Sequence, residues 1–383
     1  AHQRRGVKEW MAETNTAKLQ GMLGFKQRVR HDPLGVVGIM GPWNFPLQLT
    51  FVLAGSAFAA GNRVVMRPSS ITAKTTDVVA KYAPDYFSIE ELAVITSKHG
   101  GGSDFAKLEV DHMFFTGSPG VGASVAQEAA KNLIPVTLEL GGKNPAVVDV
   151  DADIDKAATM LADARMVNGG QVCLCPDYVF VPEAKLGEFT DKVIAHWTKS
   201  FPTIYDNSDY TSTINQKNYD RIVGLIDDAV ELGATKRQVI PGGEQLPSAE
   251  RRKIPPTLLT GVRPGMAACA EETFGPVAAV MTAVDAEHAV DLANATQYGL
   301  AASVWTETAR GEAMARELEA GQVSVNGIVK TDPRLPSGGI KRSGYGRELT
   351  EPDFHHHGRT LAVRVDGDPA LLLVLHAGGA PVD

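Results

Sequence analysis

A chain of 383 residues, 44% hydrophobic and 21% charged, is a globular protein with room for two cores, not a disordered or fibrous one. The net charge of -8 argues against nucleic acid as a partner, because phosphate recognition needs a basic face. No apolar run reaches the length of a membrane span, Ala1–Arg5 carries no apolar secretion signal, and three cysteines are too few for a disulfide framework, so a cytoplasmic protein is expected.

From residue 34 onward, short β-rich runs alternate with helical patterns. Leu34-Gly-Val-Val-Gly-Ile-Met40 reads as a strand stopped by Gly41-Pro42, and an apolar helix pattern follows from Leu47 to Ala60. Arg63-Val-Val-Met66 is a second strand, ending at Arg67-Pro68, and Leu92-Ala-Val-Ile-Thr96 a third. Asp111–Thr116 is a fourth, leading through glycines into a helix over Val121–Lys131. Strands alternating with helices predict parallel βαβ units in a doubly wound, Rossmann-like sheet. Pro135–Leu140 closes this half at Gly141-Gly142. A second α/β series then begins with Asn144–Val150, a helix at about 153–167 and the strand Tyr178–Pro182, and continues to Gly344. The runs Phe25–Asp32 and Leu361–Asp366 alternate charged and apolar residues and are expected to be strands outside the main sheets, candidates for pairing between subunits.

Four segments carry chemistry. Phe115-Thr-Gly117-Ser118-Pro-Gly120-Val-Gly122 brings a strand through a glycine turn into a helix, whose first N–H groups suit a phosphate. Its spacing is not G-x-G-x-x-G, so a plain strand-to-helix turn is an equal reading. Cys173, after Gly169-Gly170, lies in a tight loop that would leave a thiolate exposed and amides free for an oxyanion, or else it is a buried structural cysteine. Cys175, two positions on and facing the same way in an extended segment, reads as a packing neighbour or an oxidation liability. Glu139, between Leu138 and Leu140, is either a paired structural carboxylate or a base of raised pKa. Asn44, in a proline-braced loop, is either an oxyanion donor or a helix cap.

Read together, these segments resemble the aldehyde dehydrogenase superfamily, most nearly its coniferyl (aromatic) and fatty aldehyde branch. Gly-Pro-Trp-Asn-Phe-Pro at 41–46, Gly-Asn-x-Val-Val-x-x-Pro-Ser at 61–69, Phe-Thr-Gly-Ser at 115–118, Leu-Glu-Leu-Gly-Gly-Lys at 138–143 and Gly-Gln-x-Cys at 170–173 carry it. Glu-Glu-Thr-Phe-Gly-Pro-Val at 271–277, Asn-Ala-Thr-Gln-Tyr-Gly-Leu at 294–300, Val-Asn-Gly at 325–327 and Ser-Gly-Tyr-Gly-Arg-Glu at 343–348 complete it, so that residues 5 to 366 are covered.

The resemblance implies a Rossmann-like cofactor domain over 35–141, an α/β catalytic domain over 142–344, and a small oligomerisation β-flap from strands at 23–34 and 353–366. It implies NAD(P)-dependent oxidation of an aldehyde to an acid, in which Cys173 forms a thiohemiacetal and then a thioester. Asn44 and the Cys173 N–H would hold the oxyanion, and Glu139 would activate the hydrolytic water. Met40, Gly41 and Trp43 match positions lining the dinucleotide groove, and Gly117, Ser118 and Gly122 the pyrophosphate turn. Leu140 and Gly141 would lie near the nicotinamide, with Glu272 and Phe274 on its ribose and ring. An aromatic or medium-to-long-chain aldehyde is the expected substrate, with a homodimer or homotetramer the expected assembly.

The chain departs from the family pattern in two places. Where the family commonly has Lys-Pro-Ser-Glu, this chain has Arg67-Pro68-Ser69-Ser70. Losing the carboxylate at Ser70 removes a partner for ribose hydroxyls, and Arg67 offers a fork for a 2′-phosphate or simply replaces lysine as a hydroxyl donor, so either NAD or NADP is expected. Family members also carry a substantial segment before the position of Ala1, which keeps an inactive truncated form, beside a coenzyme A-acylating enzyme, among the alternatives. His355-His-His357 has no Cys, Asp or Glu partner at metal-like spacing, and no metal is expected.

Overall fold

The computed structural model describes residues 2–12, 14–15, 26–330, 332, 334–348, 358–365 and 372–374. The chain divides into two units, one of Ala1–Leu140, Thr331–Gly338 and Gly344–Asp383, the other of Gly141–Lys330 and Gly339–Ser343.

The first unit is built on a six-stranded sheet in the order Gly344–Tyr345, Val136–Glu139, His112–Thr116, Val36–Met40, Arg63–Arg67, Leu92–Val94. All pairs are parallel except the first, where Gly344 opposes Glu139. Alternation explains why both faces are covered. Val37, Ile39, Val64, Met66 and Phe114 point into one core with the helix Gln48–Ala59, while Met40, Met113, Phe115 and Leu138 point into another with the helix Pro119–Ala130. From Val36–Met40 the chain winds outward through Arg63–Arg67 to Leu92–Val94, then returns to add His112–Thr116 on the other side. The direction of winding reverses beside Met40 and Thr116, and the crevice beyond strand ends at such a reversal is where open α/β sheets bind ligands.

The two alternating runs outside the main sheets pair with each other. Lys26–Pro33 and Gly358–Val365 are antiparallel, from Gly358 opposite Pro33 to Val365 opposite Lys26. Thr14–Asn15 and Leu372–Val374 flank them in a four-stranded sheet. The expected strand segments 23–25 and 353–357, with the histidine run, lie outside the described residues.

The second unit carries a seven-stranded sheet in the order Thr235–Gln238, Thr257–Thr260, Val277–Ala283, Pro176–Pro182, Asn144–Val148, Ala301–Trp305, Gln322–Val325. Only the first pair is antiparallel. Strands as apolar as Val179-Phe180-Val181 are buried on both faces, against Leu225 and Ile226 on one side and Leu161 and Trp197 on the other. Among the described residues, no helix is long and apolar enough to cross a membrane.

Ile39 is fully buried in a central strand, whereas Val78 is 57% exposed on a helix. Ile39→Ala is expected to cost about 2–5 kcal/mol and Val78→Ala less than about 0.5 kcal/mol; matched thermal melts would show several degrees of loss for the first and almost none for the second.

Candidate active site

At the strand ends of the first unit, the expected cofactor residues gather where the winding reverses. Met40 is buried and Gly41 donates its N–H to the Arg67 carbonyl at 3.2 Å. A side chain at Gly41 would collide with Thr50 Oγ1, so the chain passes close against the following helix, with Trp43 and Asn44 half-buried in the bend beyond. That helix is capped at Leu47, which makes no side-chain cap bond. Across the reversal, Gly117 donates to the Glu139 carbonyl at 3.0 Å. Ser118 is the N-cap of the helix Pro119–Ala130 but makes no side-chain cap bond, so it does not use up the first-turn amides. Gly122, on that helix, has no room for a methyl group against Leu140.

Arg67 ends its strand 8% exposed. Its Nη2 donates to the Gly100 carbonyl at 3.1 Å, while Nε is buried with no hydrogen-bond partner among the described residues. Burial lowers the guanidinium pKa against the opposing pull of Asp104. Ser69 is half-buried, its Oγ accepting from the Ile71 N–H at 3.3 Å, and Ser70 beside it is exposed. A buried donor without a partner and uncapped helix amides at a winding reversal fit an anionic dinucleotide. Glu139 stands at the end of its strand, 7% exposed, within this unit.

In the second unit, Cys173 lies in a loop with an unusual backbone. Asn168, Gly169 and Gly170 are consecutively left-handed, with φ of 51°, 62° and 74°. A Cβ on Gly170 would lie 2.0 Å from the Gly275 carbonyl oxygen, so only glycine fits there. Gln171 fastens the turn from inside. Its Nε2 donates to the carbonyls of Asn168 at 2.9 Å and Ser212 at 3.3 Å, and its Oε1 accepts from the Ile214 N–H at 2.9 Å. Cys173 is half-buried, whereas Cys175 is buried, donates its thiol to the Ala164 carbonyl at 3.1 Å, and is pushed by burial up to about 11. Cys269 is also raised by burial. Cys175 thus stays a thiol and packs.

Glu272 and Phe274 lie beside this loop. Glu272 Oε1 accepts the Gly142 N–H at 3.0 Å, and burial pushes its carboxyl up to about 7. Gly141 faces the same carboxylate, with space for no side chain. Phe274 has φ of 47°, a conformation costly for an aromatic residue and held by its neighbours. Arg221 donates to the Glu272 carbonyl at 3.1 Å and the Thr273 carbonyl at 2.7 Å. Thr273 donates through both N–H (2.9 Å) and hydroxyl (2.5 Å) to the Asp177 carboxylate.

Sequence reasoning missed the group that ties these segments together. Asp177 lies 3.5 Å from Lys143 Nζ and 3.5 Å from Arg165 Nη1, all three nearly inaccessible. Burial alone would raise the Asp177 pKa, but Lys143, Arg165 and the Thr273 bonds outweigh it and hold the carboxylate ionised. Arg165 also donates through Nε at 2.9 Å to the Gly275 carbonyl and through Nη1 at 3.0 Å to that of Pro176, while Lys143 donates to that of Ala268 at 2.8 Å. A signal existed: Lys143 and Asp177 each open an apolar run, and charges embedded there are buried only when paired. Asn144, also missed, donates to the carbonyls of Cys173 and Cys175. Among the described residues, no group of three or more His, Cys, Asp or Glu side chains could hold a metal ion.

Comparison with known proteins agrees with this arrangement. Residues 5–362 match the aldehyde dehydrogenase family. The chain is 39% identical over 352 residues to the probable coniferyl aldehyde dehydrogenase of Caulobacter vibrioides, covering 90% of this chain and 72% of that protein. It is 33% identical to the dimeric NADP-preferring aldehyde dehydrogenase of Mus musculus, covering 94% and 79%. A solved NAD-dependent aldehyde dehydrogenase from Sinorhizobium meliloti superposes with a TM-score of 0.86 at 30% identity, covering 96% of this chain and 74% of that one. The chain belongs to the aldehyde dehydrogenase family, with its Rossmann-like cofactor domain and α/β catalytic domain. Its chemistry is NAD(P)-dependent oxidation of an aldehyde through a catalytic cysteine.

The raised pKa of Glu272 has a consequence for stability. Its folded pKa of about 7 lies above the ordinary 4.5, so its favourable contribution is full below 4.5 and is lost as pH rises through 7. Glu272→Gln removes that loss. Thermal melts at pH 5 and pH 8 are expected to show the variant gaining on the unaltered protein by up to about 3 kcal/mol at the higher pH, and an unchanged difference would contradict the assignment.

Proposed function

We propose that Cys173 is the nucleophile of this enzyme, that Glu139 activates the hydrolytic water, and that Asn44 and the Cys173 N–H donate to the oxyanion. The observation that carries this reading is the loop that presents Cys173: it is half-buried just after three consecutive left-handed residues fastened by Gln171, whereas Cys175 is buried with its thiol donated to the Ala164 carbonyl. The Cys173 thiolate adds to the aldehyde carbon, making it tetrahedral, which is what allows a carbonyl carbon to release hydride. NAD(P)+, held along Met40, Gly41 and Gly117, would supply the acceptor for that hydride. The resulting thioester is cleaved by water, releasing the carboxylic acid and restoring the thiol. Glu139, a buried carboxylate at a strand end, takes the proton from that water, and this favours hydrolysis over transfer to coenzyme A.

The cofactor would lie along Met40, Gly41, Trp43, Gly117, Ser118, Gly122, Leu140 and Gly141, with Glu272 and Phe274 on the nicotinamide side. Arg67, Ser69 and Ser70 would receive the adenosine ribose. The unpartnered Arg67 Nε and the hydroxyl at Ser70 in place of a carboxylate favour acceptance of NADP beside NAD. Likeness to a coniferyl aldehyde dehydrogenase favours a bulky aromatic aldehyde as substrate, and likeness to a dimeric enzyme favours a homodimer. The cytoplasm is the proposed location.

Formation of reduced cofactor with a panel of aldehydes, NAD and NADP in parallel, tests this reading. Cys173→Ala is expected to abolish turnover. Glu139→Gln is expected to keep a first-turnover burst while steady-state turnover falls about 10²–10⁴-fold, and Asn44→Ala to lose about 10²–10³-fold. A Cys173→Ala enzyme that still turns over would defeat the reading. Silence of the folded, unaltered chain with every aldehyde would favour an inactive member, and acceleration by coenzyme A an acylating one. A cofactor preference is expected to move toward NAD on Ser70→Glu.

A further inference from the structure

Asn144 opens the strand Asn144–Val148 directly after Gly141-Gly142-Lys143, and it is 3% exposed. Both of its amide hydrogens are used. Nδ2 donates at 2.6 Å to the Cys173 carbonyl and at 2.8 Å to the Cys175 carbonyl, and Oδ1 accepts the Ala301 N–H at 3.1 Å. Ala301 begins the neighbouring strand Ala301–Trp305. One end of the side chain is therefore referenced to the sheet, and the other holds the carbonyls of Cys173 and Cys175.

The space around this contact is closed. A Cβ on Gly142 would lie 2.5 Å from Asn144 Oδ1 and 3.0 Å from the Cys173 carbonyl oxygen. Upstream, Gln171 clamps the loop through Asn168, Ser212 and Ile214, and the Cys175 N–H bonds the Val172 carbonyl at 3.1 Å. Cys173 thus sits between two fastenings, Gln171 before it and Asn144 after it. The downstream fastening fixes the orientation of the peptide following Cys173, and with it the backbone torsion that aims Cα–Cβ.

We propose that Asn144 is a positioning residue for the nucleophile: by binding the Cys173 and Cys175 carbonyls it fixes the peptide that follows Cys173 and, with it, the direction of Cys173 Sγ. The proposal rests on Cys173 being the nucleophile. Asn144 touches no reacting atom, so its loss acts through geometry, where a displacement of about 1 Å costs about 10²-fold in rate.

The test compares Asn144→Ala, Asn144→Asp and Cys173→Ala in the full chain, by turnover and by site-resolved iodoacetamide labelling of Cys173. Asn144→Ala is expected to lower kcat by about 10²-fold with less than about a threefold change in KM for NAD(P), and to slow labelling of Cys173 about tenfold. Asn144→Asp keeps the volume should the alanine variant not fold. Its carboxylate opposes two carbonyl oxygens, whereas its protonated form donates once. Its activity relative to the unaltered enzyme is therefore expected to fall as pH rises from 6 to 9. A lowered melting temperature with native labelling and turnover, or a flat activity ratio across that pH range, would overturn the proposal and leave Asn144 as a part of the core. Turnover by Cys173→Ala would defeat the nucleophile reading itself, while an inactive Cys173→Ala beside unimpaired Asn144 variants would defeat this inference alone.

Discussion

The carboxylate of Asp177, sealed inside the second unit between Lys143 and Arg165, is the interaction around which the reactive segments are arranged. An ionised carboxylate in a protein interior is costly unless opposite charges and hydrogen bonds surround it. Here two cations and Thr273 do so, and each of these partners either belongs to a segment that carries chemistry or bonds the backbone of one. Lys143 follows Gly141-Gly142, Arg165 holds the backbone at Pro176 and Gly275, and Thr273 lies between Glu272 and Phe274. One buried charge thereby sets the register of the glycine pair, the cysteine loop and the Glu-Thr-Phe-Gly turn.

That arrangement explains how costly local conformations persist. Phe274 in the left-handed region and the three consecutive left-handed residues ahead of Gln171 would each relax in a free peptide. They are kept by bonds to backbone carbonyls: from Arg221 to Glu272 and Thr273, from Arg165 to Gly275, and from Gln171 to Asn168 and Ser212. Such fastenings leave side chains, rather than backbone, free to meet a ligand. The same logic appears in the first unit, where Ser118 leaves the amides of the following helix uncapped and Arg67 keeps a buried Nε unpaired.

Much of this was legible in sequence, and the rest was not for a definite reason. The alternation of strands and helices from Leu34 to Leu140 indicated a parallel, doubly wound sheet because each apolar run is short and bounded by glycine or proline. Asp177, Arg165, Lys143 and Asn144 escaped because their partners are remote: Thr273 is 96 residues from Asp177, Gly275 is 110 from Arg165, and Ala301 is 157 from Asn144. Periodicity reports on neighbours along the chain and is silent about such pairs. Phe274 gave no sign either, since its left-handed backbone is imposed by contacts and opposed by its own side chain.

Asp177→Asn tests most directly whether the buried charge organises the reactive segments. It preserves size while leaving Lys143 and Arg165 buried without a counter-charge. Matched thermal melts and iodoacetamide labelling of Cys173 would be followed together. The account predicts a loss of about 3–5 kcal/mol in stability and, in the fraction that stays folded, slower labelling of Cys173. A variant as stable as the unaltered protein, labelled at the same rate, would contradict it.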